Sequence, residues 1–288
     1  MATLIKINGV TASATKNTGV AKEVLEGATI RYALTRGDFE ISLDDAKSLT
    51  NWNTAKRSQH VVPFGSIEAN LEASNTEATY YEGRTIKLET KAARKGKKAT
   101  HHLGIHSHAA YKSYEDSEYT RVLEFTDDGY IKGVLTPDGK LQGQLLSNYN
   151  VGIRKDATFE APASTDIEFI YSNYRDFEEN GVILEPDFDL EDYEGIYTVL
   201  LEVVGTPTAT ELVVKATERS AGTPVIGLAQ ADFEFLKEEG TAQSVSGLTA
   251  NENTYTLNGT GFVSGTIATV VVEKTNIMYQ ADKVTVTV

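Results

Sequence analysis

The side chains best placed to do chemistry are histidines: four of the five in the chain, His101, His102, His106 and His108, fall within eight residues. On a helix, His102 and His106 stand at i, i+4 and would turn both imidazoles toward one metal ion. Gly104 between them weakens such a helix, and no acidic third ligand stands at a fixed spacing. The competing reading is a polar loop, and the expectation is that no metal is bound, with His102 and His106 the candidate ligands otherwise.

A second candidate is acidic. Residues 176–194 hold nine carboxylates and no Lys or Arg, including Asp187, Asp189, Glu191 and Asp192. Asp-x-Asp-x-Glu could open a calcium loop, but the sixth position is Asp192, where a helix-loop-helix calcium site requires Gly. A solvated acidic loop is the expected outcome. The basic run Arg94, Lys95, Lys97 and Lys98 is the opposite case, cationic within a chain of net charge −14. It reads as a solvated loop or, in an oligomer, as an inter-subunit contact to a neighbour's acidic face.

No nucleophile is nominated. The chain has no cysteine, which removes thiolate catalysis, disulfides and cysteine-ligated zinc. Gly-x-Ser-x-Gly, His-Glu-x-x-His and the phosphate-loop lysine motif are all missing. Gly259-Thr-Gly-Phe-Val-Ser-Gly has one residue too many for a dinucleotide fingerprint and no helix after it, so turn glycines explain it. The expectation is a protein without cofactor or catalytic residues.

Charge narrows the partners. Of the net −14, about −10 falls on residues 1–204 and −4 on the remainder, where 5 basic residues face 9 acidic ones. Such a surface lacks the clustered cations that grip phosphates. No apolar run reaches the roughly 18 residues of a membrane helix, and the N-terminus lacks the charged and apolar regions of a signal peptide. A soluble protein made in the cytoplasm is expected, a mature sequence with its signal removed being the alternative.

The elements that must position these residues are mostly strands. Leu4, Ile5 and Ile7 suggest an opening strand, Thr18 to Gly27 a short helix, and Ala28 to Thr35 a second strand. Ser42 with Asp45 forms a partial capping box for a helix over Leu43–Leu49. Ser66 to Tyr81 and Arg84 to Lys91 flank Glu82-Gly83 as a hairpin or long loop, and His106 to Ser117 predicts a helix. Two Asp-Gly turns, at 127–129 and 137–139, join alternating runs into a three-strand meander over 119–153. Asp166 to Tyr174 and Gly195 to Val204 add strands, the second apolar enough to be central or buried on both faces. Gly205 to Thr210 reads as a linker. After it, short β-rich runs separated by Gly- and Asn-rich turns have the spacing of a small sandwich.

The fold class expected is therefore mainly β: a β-sandwich or barrel with one or two flanking helices over 1–204, and a second sandwich over 205–288. In the latter, Gly-Thr-Pro-Val-Ile-Gly-Leu-Ala-Gln-Ala-Asp-Phe followed by Asn-Thr-Tyr-Thr-Leu-Asn-Gly-Thr-Gly resembles the immunoglobulin-like domains of bacterial and phage surface proteins. With the Val-Pro-Phe-Gly-Ser-Ile-Glu-Ala-Asn-Leu-Glu strand, the polar hairpin and the meander before it, the whole is similar to tailed-phage virion proteins, the major tail tube class above all. That resemblance implies six copies in a ring, rings stacked into a tube with an acidic channel, DNA passing without specific binding, other tail proteins as partners, no membrane, and a place in the virion. A capsid decoration or head-fibre protein, and a bacterial surface adhesin or carbohydrate-binding module using the 14 tyrosines as stacking platforms, are the alternatives.

Overall fold

The chain is mainly β and divides into two units, residues 1–193 and 194–288. The computed structural model describes residues 4–6, 27–67, 70–173, 175–274 and 277–288. The helix expected over Thr18 to Gly27 therefore lies, but for Gly27, outside the described residues.

The first unit opens with β1 (Leu4–Lys6), and β2 (Thr29–Thr35) then shows why this unit needs two cores. Side chains alternate along a strand, so Tyr32 and Leu34 face one way and Ala33 the other. All three are fully buried. Both faces of the sheet must then be covered.

Further along come α1 (Leu49–Arg57), β3 (Val61–Pro63), β4 (Asn70–Ala73), β5 (Thr79–Glu82), β6 (Lys87–Lys91), β7 (Gly96–His101) and α2 (Ile105–Lys112). The unit ends with β8 (Arg121–Thr126), β9 (Ile131–Leu135), β10 (Leu141–Gln142), β11 (Gln144–Val151), β12 (Thr165–Tyr171), α3 (Asp176–Asn180) and β13 (Gly181–Leu184). The path β1-β13-β9-β8 carries β2 and β3 on its β8 side, and β11 leads off β8 to β12, β7 and β4. On one side Ala33, Leu123 and Phe125 pack with Trp52 of α1 and Tyr193. On the other, Tyr32, Leu34 and Val122 pack with Phe64, Ile167 and Phe169.

The two Asp-Gly turns form as expected, with Gly129 at φ 87° and Gly139 at φ 77°, the left-handed region that glycine tolerates. The third run of the meander breaks at Gly143. Its first residues stay on β9 as β10, while β11 leaves to pair with β8 and β12. A Cβ at Gly143 would lie 2.9 Å from the Val122 amide nitrogen, so only glycine lets the backbones approach there. Ser42 and Asp45 do bond reciprocally: the Asp45 amide donates to Ser42 Oγ (3.0 Å), which donates to the Asp45 carboxylate (2.7 Å). They start only a single 3-10 turn, Asp45–Lys47, and the longer helix α1 follows it.

The second unit contains β14 (Ile196–Val203), β15 (Glu211–Glu218), β16 (Phe233–Lys237), β17 (Ala242–Gln243) and β18 (Val245–Asn251), then β19 (Thr254–Gly259), β20 (Gly265–Thr269), β21 (Val272–Lys274), β22 (Ile277–Ala281) and β23 (Val284–Val286). These make a sandwich of a six-stranded sheet, β18-β19-β15-β14-β22-β21, and a four-stranded one, β17-β16-β20-β23. Leu212, Val214 and Leu257 of the first meet Phe235, Ile267 and Val286 of the second in one core.

Two expectations are corrected here. The boundary falls at 193/194 rather than 204/205, because β14 pairs with β15 and, in parallel, with β22, which makes it an inner strand of the second unit. Of the two readings of this strand the central one holds, β14 lying between β15 and β22, while burial on both faces does not. Val199 and Leu201 are in the core, whereas Leu200 between them is 42% exposed, as alternation requires when a sheet has one packed face.

Candidate functional site

The structure separates the histidines. His101 ends β7, and Gly104 (φ −68°, ψ 169°) is the N-cap of α2, so His102 and His106 do not share one helix face. Extended backbone at the cap defeats the i, i+4 spacing. His108 Nδ1 instead lies 3.0 Å from Thr165 Oγ1. His101 is buried, its Nε2 has no hydrogen-bond partner among the described residues, and burial pushes its pKa down to about 4. Among the described residues no group of three His, Asp or Glu side chains could hold a metal ion.

The second half of the basic run is not a loop. Lys97 and Lys98 lie in β7, an inner strand between β12 and β4. Alternation sends the two lysines to opposite faces. Lys98 meets Asp166 at 3.1 Å on the outside, beside Lys155 at 2.9 Å. Burial raises the Asp166 pKa, but hydrogen bonds from Lys155, Thr100 and Lys98 outweigh it and hold the carboxyl at about 2. Lys97 turns inward to Glu124. Lys95 sits with its ammonium 6.0 Å from the Phe177 ring centre, and Arg94 alone of the four is exposed, its backbone bridged to Thr76.

Glu124 is the group that the sequence reading missed. In β8 it shares a face with Val122, inside the core, and is 1% exposed. Its carboxylate accepts from Thr29 Oγ1 (2.7 Å), Tyr171 OH (2.6 Å) and the Lys97 ammonium, with Lys132 Nζ at 3.9 Å. Burial pushes its pKa up, but the two lysines and the Lys97 and Tyr171 hydrogen bonds prevail and hold it at about 2. A glutamate at a core-facing position of a strand buried on both faces was the available signal. This carboxylate is ionised, with its lone pairs taken up by donors, and that suits fixing strand register rather than moving protons.

No protein-family model matches the chain, and no curated protein matches it in sequence. The geometry alone has to indicate a role.

Two surface features remain. The first is the hairpin β5–β6, a two-stranded sheet of its own closed by the Gly83 amide on the Ile86 carbonyl at 2.8 Å. Every residue of both strands is exposed. Tyr80, Tyr81, Ile86 and Leu88 stand between 50% and 61% exposed, and Arg84, Lys91 and Arg94 have no acidic partner among the described residues. The second is the acidic run. Asp189 caps a 3-10 turn, Leu190–Asp192, by accepting from the Glu191 amide at 2.9 Å. Arg31, buried in β2, donates to the carbonyls of Leu190 and Tyr193 and so ties the loop down. Asp187, Asp189, Glu191 and Asp192 are held at the surface as a fixed anionic strip rather than a ligand cage.

Proposed function

We propose that this is a tailed-phage virion structural protein whose copies close into six-membered rings and stack as a tail tube around an acidic channel for DNA. The observation that carries the reading is the hairpin arm β5–β6. Its tyrosines, Ile86 and Leu88 stay in water unless another chain covers them, and Tyr81 stands opposite Leu88 on one face, so the arm offers apolar surface of the kind that marks an interaction site.

A second copy supplies complementary cover. Glu178, Glu179, Asp187, Glu191 and Asp192 are exposed and have no cationic partner among the described residues, whereas the arm carries the unpaired Arg84, Lys91 and Arg94. The two patches differ, so the contact is heterologous; it closes into a ring when its rotation divides a full turn. Carboxylates lining a channel would keep DNA moving, because like charge suppresses counterion-release binding. The tyrosines argue less for a carbohydrate platform, since only Tyr80 and Tyr81 are exposed among the described residues. On this reading the partners are the chain itself, other tail proteins and passing DNA, with the second unit an appendage. No helix among the described residues is long and apolar enough to cross a membrane.

Negative-stain microscopy of the purified protein tests the proposal. Six-fold rings or tubes are expected. Monomers or trimers that bind capsids would replace it with the decoration reading.

A further inference from the structure

We infer that the open edge of β18, in the second unit, docks an extended segment of a partner protein as an added strand, the segment having an uncharged centre and cationic flanks.

Sheet edges invite pairing, and proteins guard them with shortness, charge or cover. Three of the four edges of this sandwich are guarded by length: β17 has two residues, and β21 and β23 three each. β21 also carries Glu273 and Lys274, the lysine held 3.1 Å from Asp232. By contrast β18 runs for seven residues. No charged side chain occurs between 240 and 251, in a chain of net charge −14.

The turn fixes which groups are open. Glu252, at φ 53°, and Asn253 form a two-residue hairpin turn, so Asn251 and Thr254 are its hydrogen-bonded pair. Alternation along the ladder then turns Thr249 and Gly247 toward β19, and the amides and carbonyls of Leu248 and Ala250 outward. No turn, loop or side-chain bond among the described residues reaches these outward groups.

At the other end of β18, a bulge between Val245 and Gly247 bends the strand, and Gln230 Nε2 covers the Val245 carbonyl at 2.5 Å. A groove of about 620 Å³ opens there, lined by Phe233, Glu234, Phe235, Gln243 and Val245 among others. Gln243 donates through Nε2 to the Thr260 carbonyl at 3.0 Å, but its buried Oε1 accepts from nothing described. The groove thus has room for a side chain of the added strand.

Charge selects the occupant. Glu234 lines the groove and Glu252 stands in the turn at the other end of β18, with no charged residue on the strand between. A strand lying along β18 meets carboxylates at both ends only, which fits Lys or Arg flanks around small uncharged residues. A second copy would lay its own acidic flanks along the same ends, so the charge pattern favours a different protein.

The test uses the full chain and two synthetic nonapeptides of alternating Thr and Val, one with lysine at both ends and the other with glutamate. The Lys-flanked peptide is expected to bind at least tenfold tighter and to slow amide exchange at Leu248 and Ala250. Ala250→Pro removes an outward amide that β19 does not use, a change edge strands tolerate, and is expected to weaken binding tenfold or more. Glu252→Lys, which leaves the edge intact, should narrow the gap between the peptides. Equal affinity for the two peptides, binding without protection of those two amides, or their protection in a peptide-free dimer would each overturn the inference. The peptides are added to unassembled subunits, at concentrations where sedimentation shows a single chain, so the result is independent of tube formation.

Discussion

The Lys97 ammonium is bonded to Oε2 of Glu124 in the interior of the first unit, so the basic run at 94–98 turns one of its cations into the core. The pair joins β7 to β8, which β11 and β12 separate in the strand order, and Tyr171 and Thr29 bring β12 and β2 to the same carboxylate. Four strands converge on one ionised group. A register slip by one residue in any of them would turn its donor away from the carboxylate.

Lys97→Met should therefore be costly. Breaking a buried pair by removing one partner leaves an uncompensated charge, typically a loss of about 3–5 kcal/mol. Lys132, at 3.9 Å, compensates in part and sets the result toward the lower end. The double variant Lys97→Met/Glu124→Gln removes the charge as well and should recover part of the loss. Urea denaturation at pH 7 measures both; a single variant as stable as the parent would refute this account of the core.

Acid should act through the same group. The folded pKa of Glu124 is depressed to about 2, so its contribution is fully present above the unfolded carboxylate value, near 4.3, and is lost as pH falls through the folded one. Integrated over that gap the contribution is on the order of 3 kcal/mol. Stability measured between pH 5 and pH 2 should fall more steeply in the parent than in Glu124→Gln. Equal slopes would remove Glu124 from the explanation.

These residues also mark where the sequence stopped being legible. Alternation and Asp-Gly turns located β2, β8 and β9, since each signal is local. The basic run looked like a loop because its charges are satisfied by Glu124 and Asp166, 27 and 68 residues away from Lys97 and Lys98, and no local pattern reports such partners. The histidine pair failed on a single local fact, the extended backbone at Gly104. β14 was visible as a strand, but its unit was not, because the parallel partner β22 lies near the other end of the second unit. The acidic strip was read as a surface loop; the Arg31 guanidinium that holds its carbonyls comes from β2 and could not have been foreseen.

His101 gives a pH dependence of a different kind. Burial lowers its folded pKa to about 4, below the unfolded value near 6.5. The unfolded chain therefore binds the extra proton first, and stability is lost as pH falls from about 6.5 toward 4. His101→Phe, which keeps a ring beside Tyr111, should flatten the curve across that window while leaving the steeper fall below it to Glu124. Thermal melts at half-unit pH steps resolve the two.

Gly265→Ala should separate the two units. A Cβ there would stand 2.2 Å from the Leu236 carbonyl oxygen, where β20 crosses β16, and backbone atoms leave it nowhere to go. The four-stranded sheet would be strained, whereas no described residue of the first unit pairs with it. Calorimetry should show one transition moved down by several degrees and the other unmoved. A single transition that shifts as a whole would mean that the units unfold together.

The arm gives the sharpest test of assembly, because its residues pack on no core. Tyr81→Ser with Leu88→Ser removes exposed apolar surface from β5 and β6, so the melting temperature of the subunit should be unchanged while rings or tubes diminish. Arg84→Glu should do the same through charge, since it would face Glu191 and Asp192 of a neighbour with like sign. The compensating variant Glu191→Lys/Asp192→Lys, mixed with Arg84→Glu, should restore assembly. Sedimentation velocity at fixed salt reads all three, and raising the ionic strength should weaken the charge effects more than the apolar one, because exposed pairs are screened within about 10 Å at 0.1 M salt. Assembly that is indifferent to the arm would move the contact elsewhere on the subunit.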